Sequence, residues 1–419
     1  MKLAAPQFAA AHAALASVLP LAQPADAALS RYFRAHPKLG QHDRAFVAEA
    51  VFGVLRRRYG LEFATGASTP RQLLLAWLNR VGGVSLRQLD PLLEAGEAQW
   101  LAARKAPSDQ PPLAVVAELP AWLVAQLAAE MPDEEILALG RALAESAPLD
   151  LRVNPLLTTR DKVLAQLAAD GIVARATPYS PLGIRVEGKP ALNRYALFTS
   201  GAIEVQDEGS QLLCYLVAPK RREMVADFCA GAGGKTLLLG ALMHSQGRLY
   251  AFDVSESRLA KLKPRLRRSG LSNVYPQLLS GEKDSRVKRL AGKIDRVLID
   301  APCSGFGTLR RNPDLKWRQG AAGIAGLAAK QGAILAAAST LVKPGGRLVY
   351  ATCSFLRAEN QDVVGAFLAA HPGFALVPAN EALAQQKIAL DTGEFLQLYP
   401  HRHGCDGFFA AVMERRSPS

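Results

Sequence analysis

Cysteine is scarce in this chain of 419 residues, which holds only Cys214, Cys229, Cys303, Cys353 and Cys405. An odd, sparse set in a long chain excludes a disulfide-stapled scaffold and points to a reducing compartment. Long apolar runs are lacking too. The longest run of helix-forming apolar character, residues 332–342, has about eleven residues against the ~20 that a bilayer-crossing helix needs. Acidic residues are in deficit, 37 against 50 lysines and arginines, a formal charge of +13. That surplus favours a polyanionic partner, nucleic acid or an acidic membrane surface, and is silent about the fold. Disorder on a large scale is excluded by 49% apolar and 21% charged residues.

The beginning of the chain imitates an export signal, with Lys2 before an alanine-rich stretch and Ala25-Asp26-Ala27 as a mock cleavage site. Gln7 and His12 interrupt that stretch, however, and Pro20 and Pro24 follow it. Phe8, Leu15, Val18 and Ala22 fall on one helical face, so a packed helix of a cytosolic protein is expected.

At roughly 150 residues per domain, the length suggests about three domains, and the texture changes twice. Residues 1–140 read as helical: Phe46, Val47, Ala50, Val51, Val54 and Leu55 form a stripe of helical period. That helix is expected to end in Arg56-Arg57-Arg58, by default a solvated face and in so basic a chain a candidate phosphate contact. Residues 105–112 (KAPSDQPP) read as a loop. Residues 141–215 mix strand candidates at 151–154, 184–186 and 202–205 with a helical stretch at 159–169, which suggests a small α/β module. From 216 to 419, strand candidates at 225–228, 249–253, 296–300 and 347–352 alternate with long helical stretches, and a closing pair lies at 395–399 and 408–413. This is the pattern of a parallel, doubly wound sheet, which binds ligands at the carboxyl ends of its strands.

The unusual residues fall at those ends. After the first strand comes DFCAGAGGKT, residues 227–236. A phosphate-binding P-loop would need glycine where Cys229 stands, and a dinucleotide fingerprint starting at Gly231 would need glycine at Thr236. A nucleoside cofactor without a pyrophosphate, such as S-adenosylmethionine, remains. Asp253, at the end of the second strand, is placed to accept hydrogen bonds from ribose hydroxyls; the bland alternative is a helix N-cap. The P-loop survives as a rival because RVLID at 296–300 could be a strand ending in a magnesium-binding acid.

Two cysteines separate these readings. The third strand runs into Asp300-Ala301-Pro302-Cys303-Ser304-Gly305 and the fourth into Thr352-Cys353-Ser354. A free cysteine is ordinarily a small buried hydrophobe. Here both sit at strand ends beside a candidate cofactor loop, where neighbouring strands would open both sulfurs into one cleft. One reaction uses such equipment. Carbon 5 of cytosine is too poor a nucleophile to attack a methyl sulfonium, and a thiolate adding at carbon 6 makes it enamine-like. A carboxylate such as Asp300 can supply the proton or hydrogen bond needed at the N3/N4 edge, and a second cysteine can assist release. A P-loop enzyme needs neither sulfur.

These motifs resemble the Sun/Nop family of RNA cytosine-5 methyltransferases, and most closely its bacterial 16S rRNA branch with a helical N-terminal domain similar to NusB. The matching segments are LRVN at 151–154, VQDEGSQL at 205–212, DFCAGAGGKT at 227–236, DAPCSGFGTLRRNPDLKW at 300–317, YATCSFLRAEN at 350–360 and DGFFAA at 406–411. Residues 30–58 resemble the NusB-like domain more weakly.

The resemblance implies a Rossmann-like, S-adenosylmethionine-dependent methyltransferase domain at 216–419. It would be preceded by an all-helical NusB-like domain at 1–140 and a small α/β RNA-binding module at 141–215. It implies that Cys353 is the nucleophile, that Cys303 assists release, and that Asp300 and Lys235 contact the base. Cys229, Ala230, Gly231, Ala232, Gly233, Gly234 and Lys235 would cradle the methionine end of the cofactor, with Asp253 at its ribose and Asp300 nearby. Arg56, Arg57, Arg58, Arg152, Arg310, Arg311, Lys316 and Arg318 would hold RNA.

Two positions depart from the family pattern. Gly231-Ala232 stands where alanine-proline is usual, and Ser280 stands where an adenine-contacting aspartate is usual, with Glu282 and Asp284 as nearby substitutes. His401, His403, Cys405 and Asp406 lack the second ligand pair of a zinc site and read as a loop, so no metal is expected. The expectation is a cytoplasmic monomer that methylates small-subunit ribosomal RNA. Transfer RNA is the second substrate, and a P-loop hydrolase or a non-catalytic RNA-binding assembly factor is the alternative outside this class.

Overall fold

The computed structural model describes residues 4–103, 110–188 and 190–417. Most of the loop expected at 105–112, and Lys2, lie outside the described residues. The chain gathers into two compact units, Met1–Ser146 with Thr308–Ala321, and Ala147–Gly307 with Ala322–Ser419. The expected border at 215/216 is therefore not a border between units. The stretch Thr308–Ala321 leaves the catalytic region for the helical unit.

In the helical unit, Phe8, Leu15 and Val18 of the helix Ala5–Val18 pack with Val47, Val51, Val54 and Leu55 of the helix Gln41–Thr65 and with Leu74 and Leu78 of Pro70–Arg80. Ala22, expected on the first of these faces, lies beyond that helix and is exposed. The helix Pro70–Arg80 starts where proline is least costly, after an N-cap Thr69 whose hydroxyl accepts from the Gln72 N–H at 3.2 Å. The helix Gln41–Thr65 does not stop at the arginine triplet. Arginine is a good helix former, so the helix continues to Gly66, whose φ of 67° provides a left-handed cap.

The second unit contains two sheets. The smaller comprises β1 (Leu149–Val153), β2 (Ala174–Ala176), β3 (Gly183–Val186) and β4 (Ile203–Val205), in the order β2-β3-β1-β4 with antiparallel pairings. Its core joins Leu151, Val153, Ile184 and Ile203 to Val163 and Leu167 of the helix Arg160–Ala169. The larger comprises β5 (Met224–Asp227), β6 (Arg248–Asp253), β7 (Val274–Leu278), β8 (Ile294–Asp300), β9 (Val342–Thr352), β10 (Phe374–Val377), β11 (Leu396–Leu398) and β12 (Phe408–Arg415). Its order is β10-β12-β9-β8-β5-β6-β7, with β11 paired to β12. Strands β5 to β9 run parallel, and β12 runs antiparallel to β9.

The chain winds outward from β5 to β7 and returns at β8 on the other side of β5. The switch point thus lies between the strands ending in Asp227 and Asp300, where an open sheet leaves a crevice. The two edge strands β7 and β10 were absent from the sequence expectation. β7 contains Pro276, which lacks an N–H and is accommodated at a sheet edge.

Buried polar side chains tie the small sheet to the large one. Asn154, just after β1, donates to the carbonyls of Gly201 and Ser269 at 3.1 and 2.9 Å. Glu204 on β4 receives Arg265 at 3.0 Å and Arg268 at 2.6 Å from the helix Glu256–Ser269. Among the described residues, one helix, Ala321–Ser339, is long and apolar enough to cross a membrane, which corrects the expectation from run length. Its Ile334, Leu335 and Ala338 pack into the core of the large sheet, and Gln331 on it is fully buried.

Candidate active site

The carboxyl ends of β5, β6 and β8 open on a cavity of about 790 Å³, within the range of small-molecule sites. Cys229, Ala230, Gly231, Ala232, Gly234, Lys235, Asp253, Asp300, Cys303 and Cys353 all line it. Gly231 has φ 56° and is held by its N–H, which donates to Asp253 Oδ2 at 2.8 Å; a Cβ added there would meet no protein atom within 4 Å. Gly233 serves packing rather than the cavity wall, which corrects its expected contact with the cofactor. At φ 86°, a Cβ there would lie 2.1 Å from Leu262. The N-cap reading of Asp253 also falls. Ser255 caps the helix Glu256–Ser269, while Asp253 Oδ1 accepts from the Ser255 N–H at 2.7 Å.

Ser280 is placed away from the cavity. Its N–H and hydroxyl both donate to Asp284 Oδ2, at 2.9 and 3.0 Å. Asp284 caps the next short helix, and the N–H groups of Ser280 and Arg286 hold its carboxyl down at about 2. Of the two substitute acids, Glu282 is the one that lines the cavity.

Lys235 Nζ lies 2.6 Å from Asp300 Oδ2 and 5.5 Å from the centre of the Phe408 ring. Burial works against the Lys235 ammonium, but the Asp300 carboxylate outweighs it and the pKa is raised. The two sulfurs, Cys303 Sγ and Cys353 Sγ, stand 3.4 Å apart. The hydrogen bond with Cys353, then burial, keep Cys303 protonated well above the ordinary thiol range. The motif glycines have a steric reason. The Gly307 N–H donates to the Cys353 carbonyl and the Gly407 N–H to the Gly307 carbonyl, both at 2.8 Å. A Cβ on Gly307 would lie 2.1 Å from that Gly407 oxygen's partner strand, at Gly407 O itself.

Sequence reasoning missed Asp227. It ends β5, lines the cavity and is buried; its Oδ2 accepts from Thr236 Oγ1 at 2.7 Å, while Oδ1 is a buried acceptor with no protein partner. Its place as the last residue before the glycine loop was the available signal. Burial pushes its carboxyl up to about 7, although the Thr236 hydroxyl works the other way. Because the folded pKa exceeds the unfolded one, stability associated with this group is full at acid pH and is lost as pH rises towards and through 7. Asp227→Asn, neutral throughout, is therefore expected to melt several degrees above the parent at pH 8, with the gap closing as pH falls to 5. Melting curves of the cofactor-free protein measure it, and a gap independent of pH would contradict the assignment.

Several expected RNA contacts are buried instead. Arg152 donates to Gln206 and to the Gly234 carbonyl at 2.7 Å, and burial lowers its pKa to about 10, so it braces the cofactor loop from behind. Arg265 braces the same loop through the Ala232 carbonyl at 2.6 Å. Within the helical unit, Lys316 Nζ donates to the carbonyls of Arg56 and Glu118, both at 2.9 Å, and burial lowers its pKa to about 8. Buried Arg56 donates to the Arg310 carbonyl at 3.1 Å, and Arg310 is itself buried. Trp317 stacks on Tyr59 at 4.1 Å and lies under Arg58, which is also paired with Glu62 at 2.6 Å. These groups seat the segment after the Cys303 loop on the helical unit, and as placed they do not face RNA. Arg57 and Arg311 are half-buried, and Arg318 is exposed with an ion pair to Asp314 at 3.3 Å.

The site fits S-adenosylmethionine. A loop with room where a Cβ would project, an unpartnered buried carboxylate oxygen on Asp227, and Asp253 on the next strand suit a cofactor with a cationic amino-acid end and a ribose. A magnesium-nucleotide site fits less well, because Thr236, where a P-loop presents its metal-binding hydroxyl, is fully buried and donates to Asp227.

Comparison with known proteins agrees. The family profile "16S rRNA methyltransferase RsmB/F" matches residues 214–414, and a ferredoxin-like domain of RsmF/B-like methyltransferases matches 119–193. The chain is 32% identical to a probable ribosomal RNA small subunit methyltransferase B of Synechocystis, over 93% of this chain and 95% of that one. It is 33% identical to the ribosomal RNA small subunit methyltransferase B of Sodalis glossinidius, over 90% of each. The crystal structure of PH0851 superposes with a TM-score of 0.79 at 25% identity, covering 99% of this chain and all of that one. The chain thus belongs to the RsmB/F family of 16S rRNA methyltransferases and is an RNA methyltransferase that draws its methyl group from S-adenosylmethionine.

Proposed function

We propose that this protein methylates carbon 5 of a cytosine in small-subunit ribosomal RNA through a covalent adduct between Cys353 and carbon 6. The observation that carries the reading is the pair of sulfurs 3.4 Å apart on the wall of the cofactor cavity, beside a lysine–carboxylate pair. Other RNA methyl transfers do not call for two thiols at one site.

Each residue then has a task. The Cys353 thiolate adds to carbon 6, and the electron pair displaced from the ring is met by a proton or hydrogen bond at the N3/N4 edge. Asp300 is the group for that edge, held in place by Lys235. The cofactor, when bound, supplies an electrophilic methyl group to carbon 5. A base then removes the carbon 5 proton, the carbon 5–carbon 6 double bond re-forms and Cys353 departs as thiolate. Cys303, which holds its proton and lies against Cys353, stabilises that departing sulfur. Asp253 holds the cofactor ribose and Glu282 faces its base. On the RNA side, Arg57, Arg311 and Arg318 remain as candidate phosphate contacts. Such a substrate places a monomeric enzyme in the bacterial cytoplasm.

The test is nucleoside analysis. Unmethylated small-subunit RNA incubated with the protein and S-adenosylmethionine bearing a labelled methyl should yield labelled 5-methylcytidine after digestion. Label on another base or another atom would overturn the chemistry. Label on transfer RNA with none on ribosomal RNA would move the substrate.

A further inference from the structure

The residue following each cysteine is a serine, and the two serines meet at one buried carboxylate. Ser304 donates to Glu359 twice, from its N–H to Oε1 at 2.8 Å and from its hydroxyl to Oε2 at 2.6 Å. The Ser354 hydroxyl also donates to Glu359 Oε2, and the two hydroxyl oxygens lie 3.1 Å apart. Gln331, on the helix Ala321–Ser339, donates from one nitrogen to Glu359 Oε1 and to the Pro302 carbonyl, each at 3.0 Å. Glu359, Ser304 and Gln331 are fully buried, and Ser354 nearly so. On the Cys353 side, Asn360 accepts from Thr352 Oγ1 at 2.6 Å and donates to the Ser354 carbonyl at 3.0 Å.

A carboxylate without hydrogen bonds would be far too costly at such depth, and this one receives four. Charge-assisted bonds of that kind are short and about twice as strong as neutral ones. They join the loop after β8 to the loop after β9, and no backbone pairing between these strands reaches as far as the two serines. The separation of the sulfurs is thus governed one residue away from each of them.

We propose that Glu359 is the positioning residue of this site: it clamps Ser304 and Ser354 and so sets the distance between Cys303 and Cys353 on which adduct release depends. The proposal rests on the cysteine chemistry above. Glu359 lines no part of the cavity and takes no part in bond making. Its charge also adds to the influences that keep Cys303 protonated, after the bond with Cys353 and burial.

A merely structural role would show as lost stability and weakened cofactor binding. Positioning predicts a different pattern. Glu359→Ala should lower kcat for methylation about tenfold or more, with KM for S-adenosylmethionine within about twofold of the parent. Glu359→Gln should recover most of that loss. Its carbonyl can accept from the Ser304 N–H and Gln331, and its amide can donate to hydroxyls that turn round.

Oxidation by diamide reads the sulfur separation directly. The two thiols give their hydrogens to the diazene, which becomes the hydrazine, and one disulfide forms. In Glu359→Ala, the Cys303–Cys353 disulfide should form about tenfold more slowly than in the parent, with Glu359→Gln close to the parent. If the alanine variant is insoluble, Ser304→Ala and Ser354→Ala carry the same expectation at smaller size. An alanine variant with parental kcat and oxidation rate would overturn the proposal, as would a loss confined to KM. Cys353→Ala is the control. Activity retained there overturns the cysteine reading and the clamp with it; an inactive Cys353→Ala beside an active Glu359→Ala overturns the clamp alone.

Discussion

Cys353→Ala is expected to reduce methyl transfer by about a thousandfold or more and to leave no covalent link to RNA. The size follows from the substrate. Without a nucleophile at carbon 6, carbon 5 of cytosine keeps its aromatic character, and binding the cofactor beside it does not make it attack. The loss should lie in kcat, because Cys353 contributes one side chain to a cavity otherwise walled by the glycine loop, Asp253 and Glu282. Cofactor affinity measured by calorimetry should stay close to the parent. Cys303, at 3.4 Å, does not replace the missing sulfur. It is held in the protonated form, and its loop is fixed by Ser304, so it presents a thiol where a thiolate is required. Methylation by Cys353→Ala within about tenfold of the parent would sink the covalent mechanism.

The second large effect has the opposite appearance. Cys303→Ala should still form the adduct and transfer one methyl group, then fail to let go. A protein–RNA species resistant to denaturant should accumulate, with multiple turnover reduced by about a hundredfold or more. Alanine removes the thiol that meets the departing Cys353 sulfur, while Glu359 still holds Ser304 and Ser354, so the site keeps its form. A quenched time course separates the steps: a burst of about one methyl per enzyme followed by a slow phase is expected. No burst and no accumulated species would show that Cys303 is needed for attack rather than for release.

How far the residues alone led to this site depends on where each signal lay. The parallel strands were legible because strands covered on both faces are continuous apolar runs, as in 296–300 and 347–352. Asp253, Asp300 and the cysteines were legible because such strands end at the binding crevice. The edge strands β7 and β10 were not, since one contains Pro276 and both are short and half-buried. The basic residues were the least legible. A guanidinium that binds phosphate and one that binds a buried carbonyl look the same in sequence, and only long-range packing sends Arg56, Arg152 and Lys316 inward. Glu359 was hidden for the same reason, because its partners Ser304 and Gln331 are far away along the chain. Asp227 was in plain view beside the glycine loop, and what escaped notice was its burial with one oxygen unpartnered.

One measurement bears most directly on the covalent mechanism. The RNA-linked species trapped with Cys303→Ala can be digested with protease and nuclease, and the linked peptide sequenced by mass spectrometry. The mechanism predicts a single cytidine-derived adduct on Cys353, carrying the transferred methyl group. A link through any other residue, or none at all, would contradict it.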